Sequence, residues 1–352
     1  MIELRMASVA LALAATLPAL PVAAFAAEEA ASATAACDPV GGIEPVCGQR
    51  GPEDLVTIEG TPWVIASSLE GNGLVLIDND SRAIRVISSF DGRASRHDRE
   101  RFGDCPGPLA PTTQAPFKSH GLSIRQTGDG SHELMVVGHG LREAIEVFSI
   151  DTNADTPILV WRGCVPAPGK ADLNSLTAFP DGSFYTTSFM DRQSSQEDML
   201  AVIASDEPFG GLWHWAPGEG WTSIDIGPVA GPNGIDLSPD GKWLFVALWG
   251  DHALMRLGLD PDDAQRATVA LGFQPDNIRF ASEGSLYVAG QGEGTSNVAR
   301  VDPATLVVSR ILERKDDSHF GHATIAIPVD DELWLGSYQG NRIAIVRESQ
   351  GD

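Results

Sequence analysis

Positive charge is scarce in this 352-residue sequence, and long apolar runs are lacking beyond residue 26. The chain has 24 lysines and arginines against 48 aspartates and glutamates, which gives a formal net charge of −24 at pH 7. No cluster of basic residues reverses this sign locally. Because such a field repels nucleic acid and anionic lipid and attracts cations, we expect no nucleic-acid partner. The lack of a long apolar segment beyond residue 26 predicts no membrane span.

The only long apolar run is N-terminal and has the form of an export signal. It extends from Val9 to Phe25, and residues 24–26 have the small-x-small pattern that a signal peptidase accepts. A transmembrane anchor is the alternative, which the short length of the run and its two prolines disfavour. We therefore predict a signal peptide in residues 1–26, an N-terminal extension in residues 27–52, and an exported protein, periplasmic or secreted.

Cysteine is also scarce, and no Cys-x-x-Cys pair is present, which disfavours a zinc site. The four cysteines are Cys37, Cys47, Cys105 and Cys164. An even number in an exported chain favours disulfides over free thiols. Three pairings are open. The preferred one joins Cys37 to Cys47 across a short loop and Cys105 to Cys164 between two loops.

Amphipathic helices of more than three turns are lacking, and short apolar strands fill the chain. Asp-Gly and Glu-Gly pairs join many of them, as in tight hairpins. A repeat emerges that consists of a polar residue, an apolar strand, an acidic turn and a second strand ending in small residues. Its clearest copy extends from Asn233 to Ala247. The six copies begin at residues 53, 120, 174, 233, 277 and 322.

Repeats of about 40 to 50 residues with four strands each are typical of propeller blades. We predict an all-β fold, a six-bladed β-propeller with four-stranded blades around a metal-holding tunnel, in residues 53–352. A β-sandwich is the alternative, and six matched units argue against it. The first interval is longer because residues 91–119 form an insertion, which we expect to lie as loops on one face.

Polar residues stand at the start of every repeat. Since the first strand of each propeller blade lines the channel, these side chains converge on one end of the tunnel. Turn chemistry explains any single one of them, but it does not require an oxygen donor in blade after blade. Calcium takes about six to eight oxygen ligands, magnesium prefers more water, and zinc prefers histidine or cysteine. The set therefore predicts Ca²⁺. Its members are Glu53, Asp54, His120, Asn174, Asn233, Asp276, Asn277 and His322.

Several stretches carry a family resemblance, namely residues 53–55, 119–123, 136–139, 173–174, 232–235 and 275–278. In order and spacing they resemble the paraoxonase/arylesterase family, within the wider gluconolactonase-like and regucalcin-like calcium-dependent six-bladed propellers. The resemblance covers essentially the whole mature length. It implies that His120 and His139 form a catalytic pair. It also implies one set of ligands for a catalytic calcium ion, consisting of Glu53, Asn174, Asn233, Asp276 and Asn277.

The sequence departs from that family at several points. The family's second, structural calcium uses an acidic residue where this chain has Ser175, although Asp54 is retained as a candidate ligand of that ion. No cysteine lies near the C-terminus to form the family's terminus-to-terminus disulfide. His322 begins the last repeat and is a candidate pocket residue.

The predicted function is a calcium-dependent hydrolase of lactones or aryl esters that acts on a small-molecule substrate. His120, assisted by His139, is the candidate general base because imidazole exchanges protons near neutral pH. A purely structural role is the alternative for His139. A sugar-acid lactonase of the gluconolactonase type and a non-catalytic ligand-binding or protein-binding propeller are the alternative functions. A strictosidine-synthase-like condensation is more distant. The substrate and the oligomeric state stay open.

Overall fold

The computed structural model describes residues 37–71, 73–87, 95–112, 116–127, 130–205, 207–260, 262 and 265–347. The predicted signal peptide and the extension up to residue 36 lie outside the described residues. The chain divides into two compact units, Met1–Asp38 and Pro39–Asp352, and all described strands lie in the second unit. No helix among the described residues is long and apolar enough to cross a membrane.

Six four-stranded antiparallel sheets form the second unit, one for each predicted repeat, so the propeller prediction is confirmed. In five of them, consecutive strands are hydrogen-bonded neighbours. The strands of the last sheet are β1 (Glu44–Cys47), β22 (Ala323–Val329), β23 (Glu332–Ser337) and β24 (Arg342–Arg347). The strands of the other five sheets, four to a sheet in chain order, are β2 (Leu55–Thr57), β3 (Trp63–Ala66), β4 (Leu74–Asp78), β5 (Ile84–Ile87), β6 (Lys118–Gln126), β7 (His132–His139), β8 (Ala144–Asp151), β9 (Ile158–Pro166), β10 (Ala171–Ala178), β11 (Phe184–Asp191), β12 (Gly211–Ala216), β13 (Gly220–Ile224), β14 (Pro232–Leu237), β15 (Trp243–Leu248), β16 (Ala253–Gly258), β17 (Arg266–Ala270), β18 (Gln274–Phe280), β19 (Leu286–Gly292), β20 (Thr295–Val301) and β21 (Val308–Lys315).

The last sheet closes the ring with a strand from the other end of the chain. Strand β1 pairs antiparallel with β24, with Pro45 opposite Ala344, in the order β1-β24-β23-β22. Val46 of β1 is buried. The predicted boundary at residue 53 is therefore wrong, because part of the predicted extension supplies the fourth strand of the last blade. The repeat reaches only the first two strands of each blade, so this strand carried no repeat signal.

Burial falls from the tunnel to the rim of each blade. Second strands such as β7 and β15 are buried almost throughout, because neighbouring blades cover both of their faces. Outer strands such as β17 and β21 consist of partly buried and exposed residues. Apolar contacts between blades therefore form the core, and the tunnel carries the polar groups.

The inner strands share an irregularity at the positions that the repeat singled out. In five blades the inner strand carries one residue more than its partner strand, so that one or two residues fall outside the ladder. Such bulges re-aim side chains. The unpaired residues are His120-Gly121, Asn174-Ser175, Asn233-Gly234, Asp276-Asn277 and Thr324.

The described part of the insertion follows the outer edge of the second blade. Ser95 bridges in parallel to Trp161 of β9, and Cys105 forms a disulfide with Cys164 of the same strand. Cys37 and Cys47 are also disulfide-bonded, and no described cysteine is free. Helix α1 (Gln196–Ile203) lies between β11 and β12, with no fully buried residue.

Candidate metal and catalytic site

Every predicted calcium ligand is buried and lies in an inner strand or, for Glu53, just before one. The side chains of Glu53 and Asn277 meet directly, since the amide nitrogen of Asn277 donates to Oε1 of Glu53. Glu53 precedes β2, and its backbone carbonyl accepts from the Thr324 hydroxyl at 2.6 Å, which ties the first blade to the last. The fold thus brings the first, fifth and sixth blades together at this point.

Four buried oxygens of the predicted ligands have no hydrogen-bond partner among the described residues. They are Oε2 of Glu53 and Oδ1 of Asn174, Asn233 and Asn277. Buried polar atoms in native proteins are nearly always paired, so four unpaired oxygens on one residue set call for a bound group. Carboxylate and amide oxygens are what a hard cation such as Ca²⁺ prefers. The residues present therefore fit the predicted ion.

The electrostatics of the site also favour a cation. Burial raises the pKa of Glu53 well above its usual range, and the charge of Asp54 raises that pKa further. Burial likewise raises the pKa of Asp276, with the charge of Glu53 as the next cause. Two buried carboxylates that repel each other are costly when ionised, and a divalent cation between them relieves that cost.

Gln291 orients Asp276 from behind. Its amide nitrogen donates to Oδ2 of Asp276 at 2.7 Å and to the carbonyl oxygen of Ala323 at 2.7 Å. Its own oxygen accepts from the indole of Trp249 at 3.0 Å. Sequence reasoning missed Gln291, because it lies fifteen residues after Asp276 on the neighbouring strand β19.

Two glycines allow the ligand-bearing strands to approach each other. A Cβ atom on Gly121 would come within 2.5 Å of the carbonyl oxygen of Asn174, and one on Gly234 would overlap the backbone of Asp276 and Asn277. Glycine follows the polar residue of the repeat at both positions because any side chain would push the next blade's ligand strand away.

His120 and His139 form the pair that the resemblance implies, and Glu143 extends it to three members. His120 Nδ1 lies 2.9 Å from His139 Nε2, and His139 Nδ1 lies 2.8 Å from Glu143 Oε2. Nε2 of His120 faces Oε2 of Glu53 at 3.6 Å. The chain of contacts therefore runs from the predicted metal site outward to a carboxylate.

The order of these contacts assigns the protons. A carboxylate only accepts, so His139 Nδ1 carries hydrogen and its Nε2 accepts from His120 Nδ1. The neutral tautomer of His120 then has its lone pair on Nε2, which faces Glu53. Burial lowers the pKa of His120, which keeps the imidazole neutral and ready to accept a proton.

Glu143 is itself fixed, and a third acid stands nearby. Oε1 of Glu143 accepts from the backbone N–H of Leu173 at 2.8 Å. Asp172 Oδ1 lies 3.9 Å from His139 Nδ1. The three side chains are close enough together to share a metal ion, but the hydrogen that His139 Nδ1 donates to Glu143 leaves no lone pair on that nitrogen for one. Sequence reasoning missed Glu143 and Asp172, because neither stands at a repeat start.

The other two predicted site residues have different surroundings. Asp54 is saturated by hydrogen-bond donors, among them Arg279, and offers no free oxygen to a second ion. His322 has a positive φ of 54°, and its Nδ1 lies 3.8 Å from Oδ2 of Asp316. Its ring packs against Tyr338, whose pKa is raised by burial and then by the charge of Asp276. His322 therefore belongs to the surroundings of the site, with no described contact to His120.

Comparison with known proteins identifies one family to which this chain is similar. A family model described as the SMP-30/Gluconolactonase/LRE-like region matches residues 111–313, more than half of the chain. The chain belongs to this family. The wider gluconolactonase-like and regucalcin-like group of the resemblance is thereby shown, while the narrower paraoxonase/arylesterase assignment stays a prediction. No curated protein matches the chain significantly.

Solved structures share the fold at low sequence identity. A gluconolactonase from Xanthomonas campestris is 15% identical with a TM-score of 0.55, and the match covers 90% of this chain and 93% of that one. The calcium-binding protein regucalcin from Agrobacterium tumefaciens is 15% identical with a TM-score of 0.50, covering 87% and 93%. A PQQ-bound aldose sugar dehydrogenase from Streptomyces coelicolor is also 15% identical with a TM-score of 0.52, covering 86% and 95%. Since these proteins differ in activity, the likeness shows the fold alone.

Proposed function

We propose that this protein is a calcium-dependent hydrolase of lactones, with aryl esters as a second substrate class. One observation carries the proposal. Four oxygens of the predicted ligands are buried and unpaired, and one of them belongs to Glu53. The free lone pair of His120, in the relay formed by His120, His139 and Glu143, is directed at that same Glu53. A metal site that is only structural does not require a base beside it.

The predicted ligands would hold the cation that activates the substrate. When bound, a divalent cation supplies Lewis-acid polarisation of a carbonyl oxygen and stabilises the negative charge that develops there. Glu53 and Asp276 supply the two negative charges that balance Ca²⁺. The carbonyl oxygens of Asn174, Asn233 and Asn277 complete the protein ligands.

His120 handles the proton. Its Nε2 takes a proton from water as the water oxygen bonds to the carbonyl carbon, and the same proton goes to the alkoxide oxygen when the ring C–O bond breaks. During that interval His120 is cationic. His139 and Glu143 stabilise this state because the positive charge is shared along the relay and ends beside a carboxylate.

A sugar-acid lactone is the second candidate substrate, and membership of the SMP-30/Gluconolactonase/LRE-like family favours it. Both candidates contain a cyclic ester, so the chemistry of the site is the same for both. The two disulfides also fit our proposal that the chain is exported.

The experiment is a hydrolysis screen over sugar-acid lactones, alkyl lactones and aryl esters, with and without chelator. We expect lactone hydrolysis that chelator abolishes and calcium restores. His120→Gln should reduce kcat about 10²- to 10⁴-fold. His214→Gln is the matched control, since His214 lies on β12 against Tyr185. The absence of any ester or lactone hydrolysis by the calcium-loaded protein would favour a non-catalytic binding propeller.

A further inference from the structure

We infer that Arg279 is the permanent cation of the tunnel below the calcium site, so that this chain holds one metal ion and not two. The guanidinium takes the place that a second ion would need around Asp54. The inference rests on the proposed function only for the one calcium ion at Glu53 and Asp276, called the upper layer. It concerns a second set of side chains, Asp54, Asp236 and Arg279, called the lower layer.

Strand β18 supplies residues to both layers. From this strand, the side chains of Asn277 and Arg279 both reach the first blade, since the Asn277 amide donates to Glu53 and the Arg279 guanidinium donates to Asp54. Arg279 is largely buried, with 14% of its side chain exposed. Its Nη2 donates to Oδ1 of Asp54 at 2.7 Å, to Oδ2 at 2.9 Å, and to the carbonyl oxygen of Leu122 at 3.2 Å.

Asp54 has no lone pair left for an ion. Besides Arg279, its Oδ1 accepts from the backbone N–H of Leu55 at 2.8 Å, and its Oδ2 accepts from that of Leu122 at 2.7 Å. A carboxylate oxygen has two lone-pair sites, so both oxygens are saturated. A metal ion could bind Asp54 only by displacing Arg279.

Asp236 is the second carboxylate of this layer and is also satisfied. Its Oδ2 accepts from the N–H of Phe280 at 2.8 Å, and its Oδ1 accepts from the N–H of Leu237 at 2.8 Å and the hydroxyl of Thr177 at 3.2 Å. Burial raises the pKa of Asp236, and the charge of Arg279 opposes that rise. Arg279 therefore interacts with both lower carboxylates.

The charges of the two layers are balanced differently. Glu53 and Asp276 above need a divalent cation, whereas Asp54 and Asp236 below already share the charge of Arg279. Arg279 donates to both oxygens of Asp54, and an arginine guanidinium stays charged in proteins. A second divalent ion beside it would meet strong repulsion in a medium of low dielectric constant. The neutral Ser175 supplies no further carboxylate.

The test counts bound metal and does not depend on catalysis. The wild-type protein, dialysed against calcium and analysed by native mass spectrometry and by elemental analysis, should hold one ion per chain. Arg279→Met keeps an unbranched, flexible side chain and removes the charged guanidinium, so this variant should hold a second, weaker ion. Arg279→Lys keeps the charge and should hold one ion.

Arg256→Met is the matched control. The Arg256 guanidinium donates to the carbonyl oxygens of Pro303 and Ala304, away from the tunnel carboxylates, so this variant should hold one ion. Two ions in the wild type, or a single ion in folded Arg279→Met, would overturn the inference. If Arg279→Met does not fold, the wild-type count decides, with one ion in support and two against. No ion in the wild type but one in Arg279→Met would contradict the upper calcium site and still support the role of Arg279.

Discussion

Glu143 acts on catalysis through His139, because among the described residues its carboxylate accepts hydrogen bonds from His139 Nδ1 and from the backbone N–H of Leu173. Glu143→Gln removes the charge at the end of the relay, and the amide can present either oxygen or nitrogen to His139 Nδ1. We expect kcat for lactone hydrolysis to fall about 10- to 100-fold. The calcium-induced rise in melting temperature should be unchanged, since Glu143 is not a ligand.

This split between kcat and calcium binding distinguishes a positioning residue from a merely structural one. Glu313→Gln is the control, because Glu313 forms an exposed ion pair with Arg310. Wild-type kcat in Glu143→Gln would show that the relay ends at His139.

Asp276 has opposite effects on stability in the presence and absence of calcium. In chelator, Asp276→Asn should raise the melting temperature, because it removes the repulsion between two buried carboxylates and keeps an oxygen for the Gln291 amide. In calcium at a hundredfold excess over Kd, the wild type gains about 2.7 kcal/mol. The variant should lose most of that gain.

Thermal melts of both proteins with and without calcium measure these effects. Asp240→Asn, at an exposed turn, should change neither condition. A lower melting temperature of Asp276→Asn in chelator would mean that the carboxylate stabilises the ion-free protein.

Sequence reasoning at this scale succeeded where a residue belongs to the repeat. Glu53, Asn174 and Asn233 could be singled out because each begins a copy, although their role as ligands remains a prediction. Glu143 and Arg279 could not, because their roles depend on contacts with other strands and loops. Arg279 reads in the sequence as an ordinary polar residue of an alternating strand.

At the scale of the element, the bulges of the inner strands connect the repeat to the site. The repeat in the sequence shows a strand that begins with polar residues. It does not show that this inner strand has one residue more than the strand with which it pairs. Gly234 occupies such a bulge and touches the backbone of Asp276 and Asn277. The regular strand expected from the sequence therefore differs from the observed strand at the candidate ligands.

A methyl group at Gly234 should separate the two ligand strands. We expect Gly234→Ala to cost about 1–3 kcal/mol of stability as overpacking and to weaken calcium binding. Gly211→Ala on β12 is the matched control, because an added Cβ there would meet only ordinary contacts at 3.5 Å or more. Calorimetric titration with calcium and chemical denaturation measure the two effects, and equal calcium affinity in both variants would contradict the prediction.

At the scale of the whole molecule, the number of blades was predictable and the closure was not. Six repeats with acidic turns are a periodic signal, and periodic signals survive in sequence. The closing strand β1 is four residues long, contains Pro45 and has no copy elsewhere, so only its pairing with β24 identifies it.

A charge placed in the closing strand should open the ring. Val46 is 4% exposed and packs with Ile343 and Ile345, so Val46→Asp should lower the free energy of unfolding by several kcal/mol, about the cost of burying an unpaired charge. Val40→Asp is the control, since Val40 is 39% exposed. Urea denaturation measures the difference, and equal stability of the two variants would mean that the ring does not depend on β1.

The pairing of Pro45 with Ala344 also sets the order in which the molecule can fold. Among the described strands, β1 is synthesised first and its partner β24 last, so five blades are synthesised before the ring can close. Contacts between such distant parts of a chain are slow to form, because the entropy of a long loop is lost before the pairing stabilises it. A chain that stops before residue 342 leaves β23 and β1 as open edges, which are templates for aggregation. The pairing of β24 with β23 and β1 is therefore the step that covers these edges.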